Sequence, residues 1–235
     1  MYRIRGVVAD RPVWVLLHGK SIQELENRIG QFRNHNICYA SVNNFPIVED
    51  NILAKINKRL DIIHCSSGYR VQQRIPMMEG FLARPDNNTM ITQLNTLSSI
   101  EHYTGGTFVK RFREKVWLMQ QDLKPGMSSI AYLLRILIEA NTRQVILFGA
   151  DGSTATAGDM KGMIRGYYHP EVFNNGTRTA TDIVHDTIKL NSYMRTLMAA
   201  AKTHNTQVLN CSPDSTVKYI RKINYDDLQS NTMEG

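Results

Sequence analysis

Hydrophobic positions along the chain alternate between short continuous apolar runs and segments with helical spacing. Six runs are predicted as buried strands: 12–19, 36–42, 61–66, 115–120, 144–151 and 207–212. Between them, apolar residues recur at helical spacing in the segments 21–32, 49–60, 128–142 and 180–206. Buried strands that alternate with helices are typical of a parallel sheet covered on both faces. The sequence therefore predicts one doubly wound, mostly parallel α/β domain over residues 1–235.

Two segments give weaker patterns. The N-terminal segment MYRIRGVVADRPVWVLLHG is interpreted as a first strand and not as a signal peptide, because Asp10, Arg11 and Pro12 interrupt its apolar run. The segment FLARPDNNTMITQLNTLSS predicts a short strand, a turn and a helix. Ser21 is the expected N-cap of the first long helix, because Glu24 follows it at the spacing of a capping box.

Composition and charge indicate the cellular environment of the chain and the kinds of partner it could bind. No apolar run approaches the roughly 18 residues that span a bilayer, so the chain is not expected to be transmembrane. Cys38, Cys65 and Cys211 lie in or beside strand-like runs without metal-ligand spacing, which favours buried free thiols in a reducing cytoplasm. The net charge of +7 is concentrated in the runs 108–115 and 218–222. Such runs suit phosphates, nucleotides, nucleic acid or an anionic membrane face, or are simply solvated helix surfaces.

Small polar residues follow the predicted strands, at the edge where doubly wound sheets bind ligands. Short side chains, free backbone N–H groups and helix N-termini at one edge suit a nucleotide or sugar. The phosphate-loop pattern GxxxxGK[ST] and the dinucleotide pattern GxGxxG are both absent. The predicted nucleotide-binding residues are His18, Gly19, Lys20, Ser21, Asn43, Asn44, Ser66, Ser128, Ser129, Asp151 and Gly152.

Each of these motifs has a structural alternative. Gly19 either admits a phosphate to the backbone or only makes a tight turn between strand and helix. Asn43 and Asn44 either bind a ligand or form a turn before a proline. Ser128 and Ser129 cap a helix in either case, and the hypothesis is that they also hold an anion.

The segment 152–179 is long and lacks periodicity, so we predict that it forms a lid over the site. It carries Tyr167, Tyr168 and His169, and the following helix carries His185. Histidine is a natural general base near neutral pH, and tyrosine hydroxyls can stabilise a leaving phosphate. On spacing alone, a surface position on the helix is an equally simple interpretation of His185.

The sequence resembles bacterial lipooligosaccharide sialyltransferases in several short motifs. These are "HGKSIQEL", "SVNNF", "GMSSIAYLLRILIEANTRQVILFGAD" and "VLNCSPDS", in the same order along the chain. The motility accessory factor and 6-hydroxymethylpterin diphosphokinase-like proteins have a similar skeleton. The resemblance covers about residues 12–66 and 115–220, and it implies a Rossmann-like fold.

The resemblance also implies a cytoplasmic, inverting glycosyltransferase that needs no metal and uses a CMP-sugar-like donor and a hydroxyl acceptor, such as a glycan. By position, His185 would deprotonate the acceptor, and Tyr167 or Tyr168 would stabilise the leaving phosphate. The nucleotide would be held at Gly19, Asn43, Ser128 and Ser129. The resemblance is also compatible with a homo-oligomer and with attachment to the periphery of the inner membrane.

Three alternatives remain open at this stage. A diphosphokinase-like enzyme would use ATP and Mg²⁺ held by Asp151 or Asp159. A transferase that adds sugar to a nucleic acid base would use the basic runs to hold phosphates. A degenerate module would bind a nucleotide without turnover. Lys20 lies beside the turn that follows the first predicted strand, and a lysine there suits a diphosphate donor better than a monophosphate donor.

Overall fold

A computed structural model describes residues 2–8, 10–43, 45–66, 71–119, 128–152 and 180–228, with only the backbone for residues 2–3 and 180–186. Its centre is an eight-stranded sheet in which every pairing is parallel. The strands are β1 Val13–Leu16, β2 Cys38–Val42, β3 Ile62–Cys65, β4 Thr89–Thr92, β5 Val116–Leu118, β6 Gln144–Phe148, β7 Gln207–Asn210 and β8 Arg221–Lys222.

Helices and short 3₁₀ turns connect these strands. The helices are α1 Tyr2–Val8, α2 Ile22–Arg28, α3 Pro46–Asn51, α4 Val71–Leu82, α5 Leu94–Tyr103, α6 Phe108–Phe112, α7 Ser129–Glu139 and α8 Ala180–Thr203. The 3₁₀ turns are Ile29–Phe32, Leu53–Ile56 and Tyr225–Asp227. None of the helices in the described part of the chain combines the length and hydrophobicity that a bilayer crossing requires.

The strand order is β5-β4-β3-β2-β1-β6-β7-β8. The chain builds the sheet outward from β1 to β5, then crosses back so that β6 pairs with the other side of β1. This reversal creates a topological switch point between β1 and β6, where doubly wound sheets open a crevice at their carboxyl ends. The fold is therefore the α/β, Rossmann-like arrangement that the sequence predicts.

Each face of the sheet carries its own hydrophobic core. Alternate residues of β1 point to opposite faces, so Trp14 and Leu16 join one core while Val13 and Val15 join the other. Residues of α2–α6 cover the Trp14 face. Residues of α1, α7 and α8 cover the Val13 face. Helices on both faces explain why β1 and most of β6 are continuous apolar runs that do not alternate in polarity.

The structure confirms the six predicted strands and adds β4 and β8. The N-terminal prediction was wrong, because residues 2–8 form α1 and not part of a strand. Ile4, Val7 and Val8 are spaced for a helix and all three are buried against the Val13 face. The short strand predicted at the start of 81–99 was also wrong. Phe81 and Leu82 end α4 on its buried side, and the strand of that region is β4.

Candidate functional site

The loops that follow β1 and β6 meet at the switch point. The Leu17 N–H donates to the Phe148 carbonyl at 2.9 Å, and the Gly19 N–H donates to the Gly149 carbonyl at 2.9 Å. A Cβ on Gly19 would lie 2.7 Å from the Asp151 carboxyl carbon and closer still to the Gly149 carbonyl oxygen. Glycine at position 19 is thus required by the packing of one loop on the other, independently of any ligand.

A chain of hydrogen bonds joins three loops at this edge. The Ser21 N–H donates to one Asp151 oxygen at 2.9 Å, and the Ser21 hydroxyl donates to the other. The Ser212 hydroxyl lies 2.8 Å from the Ser21 hydroxyl and accepts from the Ala150 N–H at 3.2 Å. The loops after β1, β6 and β7 are thereby fixed to one another.

Ser21 occupies the N-cap position of α2 as predicted, but it does not form the predicted capping box. Its backbone is helical, with φ −59° and ψ −18°, and its side chain makes no capping hydrogen bond to α2. The hydroxyl bonds Asp151 instead. A charge-assisted hydrogen bond to a carboxylate is stronger than a neutral cap, which accounts for the choice. Asp151 follows a buried strand, so local sequence around Ser21 gives no sign of this partner.

A second group of polar side chains lies one strand away, beyond β2 and β3. Asn43, in a left-handed conformation with φ +52°, donates from its amide to the Ser129 hydroxyl at 3.0 Å. Its amide oxygen accepts from the Ser66 N–H at 3.2 Å and from the Arg74 guanidinium at 3.3 Å. The Ser66 and Ser129 hydroxyls are 2.5 Å apart. We call these four residues, Asn43, Ser66, Arg74 and Ser129, the Asn43 cluster.

The N-terminus of α7 opens onto the Asn43 cluster. Ser128 caps this helix as predicted: its backbone is extended and its hydroxyl accepts from the Ala131 N–H at 3.4 Å. Helix geometry leaves the N–H groups of Ser129 and Ile130 without acceptors within the helix. Negative charge is favoured here by these two N–H groups, and also by the hydroxyls and the guanidinium of the Asn43 cluster.

His18 lies at the border between the two groups, and Lys20 follows two residues later. His18 is half-buried, and its Nε2 lies 3.3 Å from the Val42 carbonyl oxygen. Since a carbonyl oxygen only accepts, this contact requires a proton on Nε2. Lys20 is exposed one residue beyond Gly19 and adds a positive charge to the edge of the sheet.

Gly152 marks the point where the chain leaves the site. Its φ is +67°, and a Cβ there would meet the Thr187 methyl group at 3.1 Å and approach the Thr216 hydroxyl more closely. The Thr216 N–H in turn donates to the Asp151 carbonyl at 2.7 Å. Glycine at 152 is therefore explained by a left-handed backbone pressed against the loop between β7 and β8.

A buried histidine lies directly behind the α7 N-terminus. His64 of β3 is fully buried, and its ring stacks on Tyr132 at a centroid distance of 5.7 Å. Among the described residues, neither ring nitrogen has a hydrogen-bond partner. Burial lowers the pKa of His64 to about 3, so the ring is neutral at physiological pH. The neighbouring Cys65 thiol is also buried, and burial raises its pKa to about 12.

The structure thus brings most of the predicted binding residues to one edge. His18, Gly19, Lys20, Ser21, Asp151 and Gly152 surround the switch point, while Asn43, Ser66, Ser128 and Ser129 gather at the α7 N-terminus. Asn44, Tyr167, Tyr168, His169 and the lid segment 153–179 lie outside the described residues, as does the side chain of His185. Their predicted roles stay predictions.

Three residues that contribute to the site are not among those predicted from the sequence. Arg74 follows a segment without a clear pattern, and nothing in its own sequence context links it to Asn43. His64 is hidden in a strand whose other residues are apolar. Ser212 lies in the quoted "VLNCSPDS" motif, so its position beyond the last long strand was the available signal.

Within the described ranges, no group of three or more His, Cys, Asp and Glu side chains is arranged to share a metal ion. Asp151, one of the two residues predicted to hold Mg²⁺ in the diphosphokinase alternative, uses both carboxylate oxygens to accept from Ser21. Asp159, the other, lies outside the described residues.

Comparison with known proteins does not assign this chain to a family. No protein-family model, curated protein or solved structure matches the chain. The fold and the arrangement of the site therefore stand on the structure alone.

Proposed function

We propose that this chain is a nucleotide-sugar-dependent glycosyltransferase that holds the donor nucleotide and its phosphate at the carboxyl edge of β1, β2, β3 and β6. The observation that carries the proposal is the Asn43 cluster at the N-terminus of α7. It combines a guanidinium, two hydroxyls and two backbone N–H groups that have no acceptor within their own helix. This set of groups matches a phosphate better than a neutral ligand.

The position of the cluster within the fold supports the same assignment. It lies beside the β1–β6 switch point, where doubly wound sheets bind nucleotides. Lys20 adds a second cation near the first turn, which suits a donor with two phosphates. The sequence resemblance to sialyltransferases supports transfer of a sugar as the reaction.

In the proposed reaction, an acceptor hydroxyl oxygen attacks the anomeric carbon of the donor. The bond from that carbon to the phosphate oxygen breaks, and the nucleotide leaves with its electron pair. Following the resemblance, His185 takes the proton of the acceptor and Tyr167 or Tyr168 donates to the leaving phosphate. The Asn43 cluster keeps the phosphate in position and stabilises the negative charge that develops on it as the bond breaks.

Thermal unfolding in the presence of nucleotides tests the proposal. We expect CMP, CDP or UDP to raise the melting temperature without Mg²⁺, because a ligand at 100 times its dissociation constant adds about 2.7 kcal/mol to stability. A shift with ATP that requires Mg²⁺ would favour the diphosphokinase alternative. If no nucleotide shifts the transition, the proposal fails.

Substitution of Arg74 tests whether the Asn43 cluster holds the phosphate. We expect Arg74→Met to weaken nucleotide binding by roughly 10- to 100-fold, because a hydrogen bond to a charged group contributes about 1.5–3 kcal/mol. Isothermal titration calorimetry with the stabilising nucleotide measures the change. Arg113→Met, an exposed arginine beyond α6, is the matched control and should leave the affinity unchanged. Equal affinities for the two variants would contradict the assignment.

A further inference from the structure

The outer side of α8 forms one surface with the loop before β8. The Lys218 N–H donates to the Asn191 side-chain oxygen at 2.7 Å, and the Asn191 amide donates to the Thr216 carbonyl at 3.1 Å. At 3.6 residues per turn, Ile188, Arg195 and Lys202 project from the same side of α8 as Asn191. This side turns away from α7, since Tyr193 and Ala200, on the opposite flank of α8, pack in the core with α7.

Lys222 extends this surface onto the last strand. It pairs with Asn210 in register, and Val208 of the same strand as Asn210 belongs to the core under α8. Alternation along a strand therefore directs Lys222 to the α8 face of the sheet. Its ammonium donates to the Pro213 carbonyl at 3.2 Å. We call the surface formed by Ile188, Arg195, Lys202, Lys218, Tyr219 and Lys222 the α8–β8 patch.

The charge of the α8–β8 patch has one sign. The stretch 187–222 contains six lysines and arginines and a single acidic residue, Asp214. The acids that follow β8 are directed elsewhere, because Asp226 pairs with Arg28 at 2.5 Å beside α2, on the Trp14 face. The four cations of the patch are all exposed. A surface of this charge attracts anions over about a Debye length.

The patch also exposes two large hydrophobic side chains. Ile188 is 61% exposed and Tyr219 is 59% exposed, and they are two of only four large hydrophobic side chains exposed in the described residues. Ile188 lies one helical turn before Asn191, and Tyr219 directly follows Lys218, whose N–H donates to Asn191. Tyr219 has a φ of +69°, a left-handed conformation that is strained for an aromatic residue. Such strain, held by the surrounding structure, is found at functional sites.

We propose that the α8–β8 patch binds the surface of a membrane that carries anionic phospholipids. The cations of the patch lie against the headgroups, while Ile188 and the ring of Tyr219 enter the interface between headgroups and acyl chains. Tyrosine suits this depth because its ring is apolar and its hydroxyl is polar. The aliphatic Ile188 decides between lipid and nucleic acid, because it gains from burial in lipid but offers a base neither stacking nor hydrogen bonds.

Vesicle flotation tests this proposal on the whole 235-residue chain. We expect binding to vesicles of phosphatidylcholine with roughly one third phosphatidylglycerol, no binding to pure phosphatidylcholine, and loss of binding as salt shortens the screening length. The triple variant Arg195→Gln, Lys218→Gln, Lys222→Gln should weaken partitioning roughly 100-fold, at about fivefold for each cation. The double variant Ile188→Ser, Tyr219→Ser should weaken it without changing its salt dependence.

Matched variants distinguish an effect of the α8–β8 patch from a general effect of net charge or of disturbed folding. Arg33→Gln, Lys110→Gln, Arg113→Gln removes the same charge from other exposed positions, and includes one residue, Arg33, that donates to a backbone carbonyl as Lys222 does. Leu94→Ser removes an equally exposed hydrophobic side chain from α5. These controls should bind vesicles like the unmodified protein. The proposal is overturned if they lose as much binding, if anionic vesicles are not bound at low salt, or if a single-stranded oligonucleotide binds the patch and displaces the vesicles.

Discussion

The variant His64→Phe is expected to fold with much less sensitivity to acid than the unmodified protein. The His64 ring is fully buried and stacks on Tyr132, and neither nitrogen finds a hydrogen-bond partner in the part of the chain that the structure describes. Protonation in the folded state would place an uncompensated charge in the core, so burial lowers the pKa from 6.5 to about 3. Phenylalanine is a somewhat larger flat ring that can still stack on Tyr132 and cannot be protonated, and any cost of its extra volume is the same at both pH values.

The sign and the size of the effect follow from the two pKa values. In the unfolded chain the imidazole gains a proton as the pH falls through 6.5, while the folded protein does not gain it until about pH 3. The contribution of the neutral His64 ring to stability is therefore fully present above pH 6.5, and it is lost progressively as the pH falls towards 3. At 1.36 kcal/mol per pKa unit, the loss reaches about 2 kcal/mol at pH 5 and about 5 kcal/mol at its limit.

Urea unfolding at pH 7.5 and pH 5 measures this contribution. The free energy of unfolding should fall by about 2 kcal/mol less in His64→Phe than in the unmodified protein. Burial raises the pKa values of Glu49 and Asp61, which changes stability in the opposite direction, but both proteins share these groups and the comparison removes them. His102→Gln, an exposed histidine of α5, is the control and should retain the original pH dependence. An unchanged slope in His64→Phe would show that His64 does not resist protonation.

The sequence predicts the fold well because the strands are buried on both faces. In β6 the four residues after Gln144 are all apolar and buried, so the strand is recognised without knowledge of its neighbours. The errors lie where local pattern and tertiary packing differ. Residues 2–8 look like a continuation of the first apolar run, yet their helical spacing is stabilised by burial against the α7–α8 side of the sheet. β8 has two residues, too few for any pattern.

The site is predicted in part, for a reason that lies in the topology. Parallel strands bring their carboxyl ends together, so the residues after each strand converge even when they are far apart in sequence. This is why the sequence alone groups Asn43, Ser66 and Ser129, which the structure brings into contact. Their exact partners follow from packing and not from pattern. Arg74 reaches Asn43 from a helix, and Ser21 turns from its expected cap to Asp151.

The variant Gly19→Ala is expected to damage both stability and the site. The added Cβ would lie 2.7 Å from the Asp151 carboxyl carbon and nearer to the backbone oxygen of Gly149. A backbone oxygen cannot rotate away, so the loops after β1 and β6 must separate and the hydrogen bond from the Gly19 N–H to Gly149 must lengthen. We expect a loss of about 3 kcal/mol in the free energy of unfolding, at the upper end of overpacking effects. Urea unfolding measures it.

Gly30→Ala provides the matched control for this change. Gly30 is exposed in a 3₁₀ turn, and a Cβ there would meet no atom within 4 Å. The added methyl should stabilise the protein by about 0.5 kcal/mol, because alanine restricts the unfolded chain. The nucleotide that stabilises the unmodified protein should bind Gly30→Ala normally and Gly19→Ala weakly, since separation of the two loops moves Ser21 and Lys20 away from the edge of the sheet. If Gly19→Ala unfolds at the same urea concentration as Gly30→Ala, the two loops are not packed as tightly as the structure requires.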